Sequence, residues 1–188
     1  MIDLDLLYQY KPVLAFFSRQ LMYPEAQDFL GDLPEEAVAA DHPAADHIRA
    51  YAARIRQLSL DEVREHYSET FDFDKKCTLY MTYSHYEDGK ERGQMLAKLK
   101  MLYEMFGLEM PDEELPDFLP LMCEFFYAAD WRGDANAADN FRMPLAIIED
   151  GTYTMHQELV KQDSPYASLI KGLRETLKAC TRQEASAQ

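Results

Sequence analysis

The sequence predicts an all-α protein, a single globular bundle of about eight helices. Apolar residues recur at intervals of three and four along most of the chain, the period of one helix face. Residues that start and stop helices stand at the ends of those stripes. One segment alone, Cys77-Thr-Leu-Tyr-Met-Thr-Tyr83, has strong β-propensity, and no second strand of comparable strength is there to pair with it. A lone strand leaves its backbone groups unsatisfied, so the segment is assigned to helix.

The first stripe is Leu7, Tyr10, Leu14, Phe17 and Leu21, with Pro24 marking its end. After turns expected at 30–34 and 40–43, a second stripe follows in Ile48, Tyr51, Ala52, Ile55 and Leu58. The strongest runs through Met95, Leu96, Leu99, Leu102, Tyr103 and Phe106, and Gly107 stops it as a C-terminal cap. Phe118, Leu121, Met122, Phe125 and Phe126 form another. The polar loop at 130–136 is the expected hinge. Phe141, Leu145 and Ile148 predict a helix that Pro144 starts or kinks, and a separate helix is expected over 152–161. In the last stripe, Tyr166, Leu169, Ile170, Leu173 and Leu177, Ser164 is the expected N-cap and Pro165 the first helical residue. One domain is expected over 1–180, with a flexible tail at 181–188.

Among 188 residues, 34 acids and 19 bases give a formal charge of −15. Such a surface repels phosphate backbones, which argues against nucleic acid, and favours a basic peptide or basic partner surface. The three cysteines, Cys77, Cys123 and Cys180, are odd in number and far apart, so neither a disulfide framework nor a zinc knuckle is expected. The start, Met1-Ile-Asp-Leu-Asp5, lacks the basic region of a secretory signal, and no run of eighteen apolar residues suggests a transmembrane helix. A cytoplasmic location is the expectation.

Motifs for nucleotide or nucleophilic chemistry are absent: no Walker A loop, no dinucleotide-binding glycine fingerprint, no nucleophile elbow. The five histidines, His42, His47, His66, His85 and His156, include no zincin pair and are assigned surface or capping roles. A metal-dependent helical enzyme is the alternative from another class. Carboxylate-bridged metal bundles use Glu-x-x-His pairs, whereas Glu62 stands four residues before His66. No enzyme activity, metal or cofactor is therefore expected. In the acidic run Asp61, Glu62, Glu65, Glu69, Asp72 and Asp74, residues 61, 65 and 69 share one helical face, read as solvated, with docking of basic side chains as its competitor. Tyr67, Phe71, Tyr80, Tyr83 and Tyr86 lie close by among acids. That mixture suits capture of a basic amphipathic segment, but spacing alone favours an aromatic core layer.

Four motifs in order carry a resemblance: Tyr67-Ser-Glu-Thr-Phe-Asp72, Leu79-Tyr-Met-Thr-Tyr83, Arg92-Gly93 opening a long helix, and Glu114-Leu-Pro-Asp-Phe-Leu-Pro120. Together they resemble the delta subunit of respiratory nitrate reductase, the NarJ-type chaperones of the TorD/DmsD/NarJ superfamily. The likeness is close over 67–128 and continues through 141–177, where Ser164-Pro-Tyr-Ala167 resembles the start of the family's last helix. Residues 1–66 match only in helical character. One departure is Asp88-Gly89, where the family often has Gly-Asp.

The resemblance implies a TorD-like helical fold and a system-specific chaperone that is no part of the finished enzyme. It implies binding of the N-terminal segment of a molybdoenzyme's apo catalytic subunit, respiratory nitrate reductase first and a related oxyanion or sulfur-compound reductase as the alternative. It further implies help with molybdenum cofactor insertion before membrane docking, and cofactor-biosynthesis proteins as additional partners. Tyr67, Phe71, Asp72, Tyr80, Tyr83 and Glu114 are the candidate peptide-binding residues. Arg92, Gly93, Pro116, Asp117 and Pro120 are assigned to structure: Pro116 and Pro120 to a turn and a helix start, Asp117 to capping the helix near Phe118, Arg92 to an ion pair with Asp72 or Glu114, and Gly93 to close packing.

Overall fold

The computed structural model describes residues 1–25, 38–83, 86 and 89–181. The turn expected at 30–34, His85, Asp88 and residues 182–188 lie outside them. Asp3 begins the first helix, its carboxylate accepting the Leu6 N–H at 3.0 Å. α1 (Leu4–Gln9) gives way at Tyr10 to α2 (Lys11–Gln20), whose Pro12 stands where a helix has no intrahelical amide bond to lose. The stripe Leu7, Leu14, Phe17 and Leu21 thus spans two helices and is fully buried. α3 (Ala45–Ile55) buries Ile48, Tyr51, Ala52 and Ile55, while Leu58 lies past its end. α4 (Leu60–Tyr67) starts at a capping box in which Ser59 and Glu62 satisfy each other's backbone amides, and it runs into a π-helical turn, Ser68–Asp72.

α5 (Gly89–Met105) ends near Gly107, whose φ of 73° allows the left-handed stop. Only Leu99, Leu102 and Tyr103 of this helix are buried, and Met101 and Met105 are more than half exposed. α6 (Leu119–Ala128), α7 (Ala137–Lys161) and α8 (Tyr166–Cys180) complete the described helices. α2 packs along α6, α3 along α8, and α7 against α8. Aromatic rings of α6 and α7 interlock at one end of the core: Phe141 lies 5.3 Å from Phe126 and 5.1 Å from Trp131. Trp131, in the 130–136 loop, is buried, and its indole N–H donates to the Leu4 carbonyl at 3.3 Å. Lys11 donates to the Ala129 carbonyl and sits 4.5 and 4.6 Å from the Tyr8 and Trp131 rings.

Three expectations are corrected. The 77–83 segment is not helical: its middle is extended and forms an isolated antiparallel bridge, Tyr80 to Phe118. Its partner is the proline-bounded motif Glu114–Pro120, the signature run, which no strand template recognises. Residues 141–161 lie in one continuous helix, α7, rather than two. Pro144 and Gly151 are both tolerated inside it: Pro144 is buried, and a Cβ at Gly151 would lie 2.8 Å from Met81 Sδ and 3.0 Å from the Met81 carbonyl oxygen. Gly151 therefore lets α7 approach the extended segment's backbone. Finally, α8 starts one residue late, with Pro165 at its N-cap and Ser164 Oγ accepting the Tyr166 N–H at 3.3 Å.

All three cysteines are buried and unpaired, and burial pushes the Cys77 and Cys180 thiols up to about 12. No helix among the described residues is long and apolar enough to cross a membrane.

Candidate functional site

The signature run and the extended segment build one structure. Leu119 N–H donates to the Leu79 carbonyl at 2.8 Å, and Met81 N–H to the Asp117 carbonyl at 3.0 Å. Strand-like alternation follows: Leu79 and Met81 are buried, and Tyr80 turns the other way, its ring 5.4 Å from Phe118. Tyr80 O–H donates to Glu114 Oε1 at 3.0 Å. Burial, together with that carboxylate, pushes the phenol up to about 12, so it remains a donor at neutral pH.

Asp117 is the node. It is completely buried, and Oδ2 accepts from Thr82 N–H at 3.0 Å, Thr82 Oγ1–H at 2.5 Å and the Arg92 guanidinium at 3.3 Å. Arg92 also donates to Thr82 Oγ1 at 3.0 Å. This corrects two assignments. Asp117 does not cap α6, whose N-cap residue Phe118 has no side-chain bond; it captures the end of the extended segment instead. Arg92 pairs with Asp117 rather than with Asp72 or Glu114. Arg92 thereby ties α5 to the signature. The role given to Gly93 also fails, since a Cβ there would meet nothing within 4 Å, and α5 already begins at Gly89. Pro120 does stand in the first turn of α6, and the Pro116 carbonyl accepts the buried Tyr103 O–H at 2.7 Å. In the sequence Tyr103 stands only as part of a core stripe and Thr82 only as part of the 77–83 segment; no spacing signals their polar bonds to the Glu114–Pro120 run.

The six candidate peptide-binding residues fall into two groups. Tyr67 and Phe71 are inside. Tyr67 O–H donates to the Leu21 carbonyl at 3.0 Å, and both rings pack on Tyr166, at 6.2 and 4.8 Å. Burial pushes the Tyr67 phenol far above its ordinary range. Tyr80 and Glu114 are half-buried; Asp72 and Tyr83 are exposed. Tyr83, 47% exposed, has the Arg92 guanidinium 5.9 Å from its ring centre. Phe73 and Leu115 are exposed too, at 80% and 40%; of the acids next to them in sequence, Asp72, Asp112 and Glu113 are exposed and Glu114 is half-buried. Exposed rings, an aliphatic side chain and carboxylates thus occur along 72–83 and 112–115, the residue types that take up cationic amphipathic chains.

Asp61, Glu65 and Glu69 are all exposed, which suits both a solvated face and a docking surface for basic side chains. Glu62 is occupied in the capping box, and Asp74 accepts from Lys76 N–H at 2.9 Å and Gln162 Nε2 at 2.6 Å. No group of three side chains able to hold a metal ion occurs among the described residues. His42 Nδ1 accepts the Ala44 N–H at 3.1 Å ahead of α3, and His66 Nε2 lies 2.9 Å from Ser164 Oγ.

Comparison with known proteins places this geometry. The chain is 33% identical over 154 residues to the probable nitrate reductase molybdenum cofactor assembly chaperone NarJ of Bacillus subtilis (strain 168), covering 80% of this chain and 79% of that protein. It is 30% identical over 117 residues to the nitrate reductase molybdenum cofactor assembly chaperone NarJ of Escherichia coli (strain K12), covering 60% of this chain and 50% of that protein. Identity to the nitrate reductase-like protein NarX of Mycobacterium tuberculosis (strain H37Rv) is 30% over 128 residues, 68% of this chain but 20% of that protein. The model of the nitrate reductase delta subunit family matches residues 34–168, which contain the bridge, the Asp117 node and the exposed Phe73, Tyr83 and Leu115, and the chain belongs to that family.

Proposed function

We propose that this chain is a cytoplasmic assembly chaperone for a molybdoenzyme, respiratory nitrate reductase foremost. It binds the N-terminal segment of the apo catalytic subunit, holds that subunit open for molybdenum cofactor insertion, and delays membrane docking until assembly is complete. Membership of the delta-subunit family, with relatives named as nitrate reductase assembly chaperones, carries this reading. The surface supports it: Tyr83, Phe73 and Leu115 give apolar contact, and the surrounding acids complement a basic leader. The loop at 130–136 is the proposed hinge through which the chain adjusts to its client.

The test is the molybdenum content of the reductase purified from cells lacking this chain. Reductase that accumulates with little molybdenum, restored by supplying the chain, is the expected outcome. Full molybdenum loading in its absence would refute the assembly role.

A further inference from the structure

A cleft of about 360 Å³ opens between α6 and the segment that follows α5. Its floor is the buried pair Tyr103 and Phe125, with ring centres 4.7 Å apart. Leu108 and Met110 on one wall and Leu121 on the other are half-buried, so the cleft shows apolar surface to solvent. Ligand pockets run from roughly 300 to 1,000 Å³, which makes this one the size for one or two apolar side chains.

The charge at the cleft is one-sided. Glu109 lines one wall and Glu124 the other; both are exposed, and neither has a cationic partner among the described residues. Among the described residues, no Lys, Arg or His lines the cleft. An occupant bearing phosphate or carboxylate would meet repulsion, whereas an apolar anchor flanked by Lys or Arg would satisfy both floor and rim. The cleft is also joined to the signature: the Tyr103 on its floor is the residue bonded to the Pro116 carbonyl.

We propose that this cleft seats the apolar anchor of a basic amphipathic peptide, with Glu109 and Glu124 receiving the flanking Lys or Arg. The proposal rests on the reading that the chain captures such a segment, and it puts the anchor in the cleft rather than on Tyr83. Binding here would draw the client across α6, whose first residue, Leu119, is bonded to the extended segment.

The native cysteines are buried, so Ala128→Cys, at an exposed cleft position, gives one reactive thiol for an environment-sensitive fluorophore. The probe is a synthetic N-terminal peptide of the cognate catalytic subunit. Its addition should shift the emission of the label at position 128 to the blue, saturating at the Kd found by calorimetry. Glu109→Lys combined with Glu124→Lys should raise that Kd about tenfold at low salt and remove most of its salt dependence. If calorimetry shows binding while the label stays silent and charge reversal moves Kd less than about twofold, the cleft proposal is overturned and peptide capture stands. If the wild-type chain binds no peptide, the underlying reading falls with it. Both glutamates are exposed, and if their double variant nonetheless fails to fold, the label at position 128 decides alone.

Discussion

Replacing Asp117 with alanine removes the acceptor that joins the extended segment, α5 and the signature run. Three donors lose their partner at once: the Thr82 amide, the Thr82 hydroxyl and the Arg92 guanidinium. Breaking a buried ion pair by deleting one partner costs roughly 3–5 kcal/mol. The Arg92 side chain is 23% exposed, so water recovers part of its loss, which argues for the lower end, about 3 kcal/mol. For a chain of this size each kcal/mol moves Tm by about 2–4 °C, so calorimetric melting should fall by roughly 6–12 °C. Asp117→Asn keeps one acceptor oxygen and loses the charge, and should cost about half as much. Pairing Asp117→Ala with Arg92→Met in a double-mutant cycle should give a coupling of about 1–3 kcal/mol. An Asp117→Ala protein within about 1 kcal/mol of the parent, or additive single effects, would refute the node.

Other consequences follow from the same contacts. Gly151→Ala should destabilise by about 1–3 kcal/mol despite alanine's better helix propensity, because its methyl meets the Met81 backbone. Gly93→Ala, in open space on α5, should stabilise by about 0.5–1 kcal/mol; urea unfolding of both variants checks the opposite signs. Tyr67→Ala should cost roughly 3–5 kcal/mol of stability, whereas Tyr83→Ala should leave Tm nearly unchanged and weaken client peptide binding. Burial holds His42, His66 and His156 below 6.5, so the unfolded chain takes up these protons first. Their contribution to stability is complete above that pH and is lost as pH falls through the folded-state values. Urea midpoints should therefore drop between pH 7.5 and 5.5, by less in a His66→Gln variant.

Helices were legible in the sequence wherever one side of a stripe faces the core, as in Leu7 to Leu21 and Tyr166 to Leu177. Local reading failed where distant groups decide. The β-propensity of 77–83 is realised only at Tyr80, whose bridge partner lies nearly forty residues on, in a run bounded by prolines, and strand pairing is set by tertiary contact. Pro144 suggested the start of a helix or a kink, whereas α7 begins at Ala137 and runs through it. The same limit applies to the candidate site. Aromatic spacing brought Tyr67, Phe71, Tyr80 and Tyr83 together, yet only the fold separates the first two, packed on Tyr166, from the exposed Tyr83. Asp117 has the residue type of a helix cap, and its recruitment by Thr82 and Arg92 depends on contacts that spacing does not encode. The capping box at Ser59 and Glu62 matches the Ser-x-x-Glu pattern, but in the sequence Glu62 stands out only as part of the acidic run and the metal alternative.

The claim that this chain captures the leader segment of its client is tested most directly by calorimetric titration of the wild-type protein with a synthetic N-terminal peptide of the cognate catalytic subunit. Binding at micromolar Kd or tighter at low salt, weakening as added salt shortens the roughly 10 Å reach of its charges, is the predicted result. No detectable binding at low salt would contradict it.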